Sequence, residues 1–280
     1  MPENEVDVDV EFADLFTATE RDSPLILHAP HGGRTIPERF RASFVVSADE
    51  LEAEKDRMTD HFTGELVASI TGASSVVNHL SRLVVDVERF PDETEEMNQV
   101  GMGVLYTHGS QRQEIRRPSA LERGELLAFF DTYSRRFTEL VDETLARHGR
   151  AVILDVHSYP QHPLPYELHS ESRRPQLCIG FEPFHAPDAL LDAVRSAFAD
   201  LEQGDNGPFA GSYVPLKHYR KDARVQSVML EVRRDVYMDE ESGSISDGRQ
   251  LFVRLREHLQ RLVDAVGCQI LDTQSRPRLL

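Results

Sequence analysis

Residues 151–160 read AVILDVHSYP: an apolar run from Ala151 to Leu154, then Asp155-Val156-His157-Ser158, then Pro160. An apolar run cut short by proline predicts a buried strand whose carboxyl end carries polar side chains, the end at which open α/β sheets keep their ligands. Two further stretches repeat the pattern. LILHAPHGG (25–33) passes from Leu25, Ile26 and Leu27 into His31 and two glycines, and VMLEVRR (228–234) places Glu231 directly after Val228, Met229 and Leu230. Two histidines and a carboxylate, each at the tip of its own strand, are the parts of a metal-assisted hydrolase.

Working outward, strands alternate with helical stretches and no internal repeat is present. A helix is expected over about 48–70, closed by Gly72, followed by two strands rich in β-branched residues, ASSVVNHL (73–80) and RLVVDVERF (82–90). Residues 91–119 lack periodicity and read as a long loop of the kind that covers a site. An amphipathic helix over 120–148 ends at Gly149 and leads into the 151–160 strand. Then come a strand QLCIGF (176–181), a helix over about 187–201, the turn GDNGPFAGSYVP (204–215), the strand VQSVMLEV (225–232), a helix over about 247–266 and a terminal strand CQIL (268–271). This alternation predicts one α/β domain over 1–280, with an acidic extension at 1–22 and a mostly parallel or mixed sheet covered by helices on both faces.

Composition narrows the function classes. The formal charge of −17 argues against nucleic-acid binding, which needs clustered cations. No apolar stretch reaches the roughly 20 residues of a membrane helix, and the acidic start MPENEVDVDVEF is unlike a secretory signal, so a cytoplasmic location is expected. Lys55, Lys217 and Lys221 are the only lysines among 31 Lys and Arg residues, a bias consistent with a GC-rich genome or with salt adaptation. Cys178 and Cys268 sit in strand-like contexts without CxxC spacing, which suggests structural thiols.

The candidate ligands are His31 and His157, with His28 competing on the first strand. Asp155, two residues before His157 and on the same strand face, could orient that imidazole or be a ligand itself. A third, carboxylate ligand is offered by EKDRMTDHF, where Asp56 and Asp60 lie one helical turn apart. For an anionic substrate the clamp is sought in SRLVVDVER, where Arg82 and Arg89 flank Asp86; Arg116 and Arg117 are reserves in the long loop.

The ordered motifs APHGG, KDRMTDHF, SRLVVDVERF, ILDVHSYP, PFAGSYVP and MLEVRRDVYMDE resemble the N-formylglutamate amidohydrolase family from about Leu25 to Glu240. The resemblance implies a three-layer α/β/α sandwich with a mixed central sheet, of the zinc-carboxypeptidase type shared with aspartoacylases. It implies one divalent ion, zinc, held by His31, Asp56 and His157, with Glu231 as general base, Arg234 as the arginine of an ExxR motif, and Arg89 on a substrate carboxylate. Where the family pattern has Asn (DxNR) this chain has Glu88, a carboxylate that would repel a dianionic substrate or tie up Arg89. The expected function is hydrolysis of an N-acyl acidic amino acid such as N-formyl-L-glutamate by a monomer or small homo-oligomer. The rivals are a carboxypeptidase-like hydrolase or another N-acyl deacylase of the same fold, and a non-catalytic binder of acidic metabolites.

Overall fold

The computed structural model describes residues 12, 14–170, 173–245 and 249–275. Its strands are β1 (Phe16–Thr19), β2 (Leu25–Ala29), β3 (Ser74–Asn78), β4 (Ala151–Tyr159), β5 (Leu177–Gly180), β6 (Gln203–Asp205) and β7 (Val225–Arg233). They form one sheet in the order β1-β3-β2-β4-β7-β5-β6. The central strands β3, β2, β4 and β7 run parallel, β1 pairs antiparallel with β3, β5 antiparallel with β7, and β6 parallel with β5. The helices are α1 (Glu38–Arg41), α2 (Ala48–Met58), α3 (Thr63–Ala68), α4 (Ala120–His148), α5 (Asp188–Ala197) and α6 (Arg249–Ser275).

Strand alternation divides the interior into two cores and makes three layers. Leu25, Leu27, Val152, Leu154, Val156, Val228, Leu230 and Val232 face one side, against Leu66 and Val67 of α3, Leu190 and Val194 of α5, and Leu259 and Val263 of α6. Ile26, Val76, Ile153 and Val225 face the other, against Phe129, Phe137 and Val141 of α4. Every residue of β4 is buried, as expected for a central strand covered on both faces. By the same alternation His28, Asp155, His157 and Glu231 all project toward the α4 layer, and β2, β4 and β7 being parallel neighbours brings their carboxyl ends to one edge.

Local chemistry explains the helix limits. Ser47 and Glu50 form a reciprocal capping box on α2, and Ser119 caps α4, which ends at Gly149 with φ 72°. The helix expected over 48–70 is instead two helices. Thr59 ends α2 in an extended conformation and Phe62 turns left-handed at φ 65°, so Asp60 lies in the break.

Two expected strands are absent. Residues 82–90 form a buried irregular segment, because the sheet edge beside β3 is already taken by β1, a strand the sequence reading overlooked. Its backbone is satisfied elsewhere: the Asp86 amide donates to the Val104 carbonyl, and the Arg116 guanidinium donates to the Leu83 and Val84 carbonyls. CQIL is the continuation of α6, since Leu255, Leu259, Leu262, Val263 and Val266 keep helical spacing up to Gly267; Cys268 is exposed there, while Cys178 is buried.

Candidate active site

His31 follows the end of β2 in a loop pinned by its neighbours. The Asn78 amide at the end of β3 donates to the Pro30 carbonyl, and Gly33 runs so close to the next segment that a Cβ there would stand 2.3 Å from the His79 carbonyl carbon. That close approach is the reason for glycine at this point. The His31 carbonyl in turn accepts from the Asp60 amide at 3.0 Å, so the break between α2 and α3 is fastened to the histidine loop.

Three donor atoms converge here. His31 Nδ1 lies 3.2 Å from His157 Nδ1, His157 Nδ1 lies 3.2 Å from Asp60 Oδ2, and Asp60 Oδ2 lies 3.8 Å from His31 Nδ1. A tetrahedral zinc ion with bonds of about 2.0–2.2 Å needs donor separations of roughly 3.3–3.6 Å, so the triangle fits a single small divalent ion. The opposite ring nitrogens are held by other carboxylates: His31 Nε2 is 2.9 Å from Asp86 Oδ1, and His157 Nε2 is 3.0 Å from Asp155 Oδ1. Carboxylates behind ligating imidazoles fix ring orientation and tautomer. His31, Glu88 and His157 can also be combined as a donor set. That set needs the Nε2 atoms that Asp86 and Asp155 face, with Glu88 Oε2 at 3.7 and 3.3 Å, so the Nδ1 set with Asp60 is the better one.

Asp56 is not brought to this point. It is exposed and accepts from Arg34 at 2.7 Å. The helix ends before Asp60, so the two aspartates do not share a face, and it is the carboxylate of Asp60, not that of Asp56, that lies beside His31 and His157.

Glu231 stands beside His157 in register across β4 and β7. Its Oε2 is buried without a hydrogen-bond partner, and burial with the nearby Asp60 charge pushes its pKa up to about 8 against the pull of His157, Arg82 and Arg234. Burial, with Arg82 nearby, lowers the pKa of His31 despite Asp86, which favours the neutral imidazole a metal takes. For His157 burial is outweighed by the charges of Asp155 and Glu88, which raise it well above the ordinary value. Asp60 is lowered: burial opposes, and the His157 hydrogen bond with the charges of His31 and Arg82 prevails.

The arginines lie around this centre. Arg82 and Arg89 converge on Asp86 Oδ2 at 2.8 and 3.2 Å, and Tyr106, in the long loop, donates to the same oxygen at 2.8 Å. Arg234 donates to the Arg57 carbonyl and to Ser158 Oγ and stands 3.6 Å from Asp60 Oδ1, so its charge steadies that carboxylate. Arg116 is wholly buried on loop carbonyls, Ser43 and Glu122, and Arg117 pairs with Glu114 at the surface; neither reserve candidate lines the cavity. Glu88 points away from Arg89, reaching His157 Nε2 at 3.3 Å and His28 Nδ1 at 3.2 Å. Asn78, Tyr106 and Tyr133, whose hydroxyl is 2.7 Å from His28 Nε2, carried no sequence signal because their partners lie far away in the chain.

One cavity of about 480 Å³ is lined, among others, by His31, Asp60, Arg89, His157, Glu231 and Arg234. Its size suits a small molecule held by a few convergent polar groups.

Residues 23–238 match the sequence model of the family described as N-formylglutamate amidohydrolase. The chain is 29% identical over 231 residues to an N-formylglutamate deformylase of Pseudomonas aeruginosa, covering 78% of this chain and 84% of that one. A crystal structure of an N-formylglutamate amidohydrolase from Ralstonia eutropha superposes with a TM-score of 0.76 at 21% identity, covering 92% of this chain and 99% of the other. A second, of a gene product from Agrobacterium tumefaciens, gives a TM-score of 0.64 at 19% identity, covering 94% and 96%. These two likenesses concern the fold.

Proposed function

Because the chain belongs to the N-formylglutamate amidohydrolase family, we propose that it is a divalent-metal-dependent amidohydrolase, with zinc as its ion, that converts N-formyl-L-glutamate and water to formate and glutamate. One observation carries the reading: the triangle of His31 Nδ1, His157 Nδ1 and Asp60 Oδ2 opens on the same cavity as the unpartnered carboxylate of Glu231. Those three atoms would hold a divalent ion, which when bound would supply Lewis acidity to the formyl oxygen and to water near neutral pH.

The chain's own residues do the rest. Glu231 takes a proton from the attacking water and returns it to the amide nitrogen as the carbon–nitrogen bond breaks, and its buried, unpartnered Oε2 is free to accept that proton. Asp86 and Asp155 hold the two imidazoles in the ligating orientation. Arg82 and Arg89 share Asp86, with Asp60 4.0 Å from Arg82 and Glu95 3.7 Å from Arg89; Arg89, which borders the cavity, is the guanidinium assigned to a substrate carboxylate. Because Glu88 turns toward the histidines, it leaves Arg89 free of a direct pair with it, which favours an acidic substrate over a neutral one.

The test is formate release from N-formyl-L-glutamate set against N-formyl-L-glutamine, N-acetyl-L-glutamate and a dipeptide. The reading expects the highest kcat/KM on N-formyl-L-glutamate. Equal or better turnover of the acetyl or peptide compound would assign the site to a different hydrolase.

A further inference from the structure

Behind His157, on the side away from Asp60, a second set of donors meets in the interior. His28 Nδ1 lies 3.0 Å from Asp155 Oδ1 and 3.2 Å from Glu88 Oε1. Both His28 and Asp155 are at least nine-tenths buried. Despite these short separations, His28 Nδ1, Asp155 Oδ1 and Glu88 Oε1 all lack a hydrogen-bond partner of acceptable geometry. Atoms that crowd together without aiming at one another are arranged as ligands are, with lone pairs converging on a point between them.

The far ends of two of the three donors, His28 and Asp155, are held from behind, as in ligands whose orientation is fixed. His28 Nε2 is 2.7 Å from the Tyr133 hydroxyl. Asp155 Oδ2 accepts from the Tyr213 amide at 3.1 Å, leaving Oδ1 to the cluster. Glu88 Oε2 lies 3.3 Å from His157 Nε2 without a hydrogen bond to it, and Asp155 Oδ1 lies 3.0 Å from the same nitrogen. Charge points the same way. The ion-pair contacts of both carboxylates are with the imidazoles of His28, His31 and His157, which are cationic only when protonated, whereas a divalent cation neutralises both carboxylates as it stands.

We propose that His28 Nδ1, Asp155 Oδ1 and Glu88 Oε1 form a second divalent-cation site, separated from the first by the ring of His157. One imidazole nitrogen and two carboxylate oxygens suit zinc, manganese or cobalt, and separations of 3.2 and 3.0 Å from His28 Nδ1 are close to those of donors around a small ion. The cation neutralises the carboxylates behind His157, so that ring can serve the first site as a neutral ligand. The proposal rests on the preceding reading only in assigning His157 Nδ1 to the first ion.

The experiment counts metal. Purified wild-type protein, His28→Ala, Glu88→Gln and Asp60→Ala are stripped with chelator, dialysed to equilibrium against zinc or manganese at slightly alkaline pH, and analysed for metal per chain, with circular dichroism to establish the native fold. His28→Ala and Glu88→Gln are each expected to hold one ion fewer than wild type. The isosteric Glu88→Gln carries the test if His28→Ala does not fold. Metal content equal to wild type in both folded variants, with either ion, would overturn the second site. Asp60→Ala reports on the first site separately: loss of one ion there alone would leave the first reading standing and the second refuted, and loss in the His28 and Glu88 variants alone would do the reverse.

Discussion

Replacing Glu231 by Gln should make the metal-free protein more stable at high pH and abolish most of the turnover of the metal-loaded enzyme. In the folded chain the carboxyl titrates at about 8 against an ordinary 4.5, because burial disfavours its charged form. Below pH 4.5 both folded and unfolded chains carry the proton and the contribution to stability is fully present. Between 4.5 and 8 the unfolded chain releases the proton and the folded one retains it, so stability falls by about 1.4 kcal/mol per pH unit and levels off above 8. The upper bound is therefore about 5 kcal/mol, and relaxation around a site that borders a cavity brings the expected loss to about 2–5 kcal/mol. Glutamine has no such titration. Urea unfolding of chelated wild type and Glu231→Gln at pH 5, 7 and 9 measures the difference, with the other site groups common to both proteins. The gap should widen in favour of the variant as pH rises and shrink once a divalent cation, which stabilises the carboxylate, is restored. A gap constant to within about 0.5 kcal/mol across that range would refute the assignment of Glu231 as a strained buried base.

The same substitution should lower kcat by on the order of 10² to 10⁴ without changing metal content, measured by single-turnover formate release and elemental analysis. Asp60→Ala should lose the ion of the first site and its activity, whereas Asp56→Ala, which removes only an exposed pair with Arg34, should change stability by less than about 1 kcal/mol and leave metal content intact. Arg89→Ala should cost roughly 2–5 kcal/mol in kcat/KM on N-formyl-L-glutamate and much less on N-formyl-L-glutamine; equal losses would make Arg89 architectural. Gly33→Ala drives a methyl group into the His79 backbone, so a melting experiment should show destabilisation of about 1–3 kcal/mol.

How much of this was legible in the chain follows from where each signal resides. The tips of β2, β4 and β7 were readable because apolar runs ending in polar residues report a strand and its exit together, and parallel pairing then gathers His31, His157 and Glu231. Asp60 was offered by the sequence but not separated from Asp56, because the choice depends on a break at Thr59–Phe62 whose left-handed residue is a phenylalanine, which does not advertise such a turn. The segment 82–90 misleads for a related reason. Its valines and leucine are β-branched or apolar because they are buried, not because they pair, and only the occupation of the sheet edge by β1 decides between the two. The role of Glu88 was invisible, since adjacency to Arg89 in sequence suggested an ion pair while the backbone turns the two side chains to different partners.

The central claim is that a divalent ion held by His31, Asp60 and His157 makes this chain an N-formylglutamate-hydrolysing enzyme, and it is tested most directly by following formate release from N-formyl-L-glutamate through one cycle of metal removal and return. Turnover should vanish on exhaustive chelation and recover on adding zinc, with formate and glutamate formed in equal amounts. Full activity in protein shown to be free of metal, or no formate from protein shown to be saturated with it, would contradict the account.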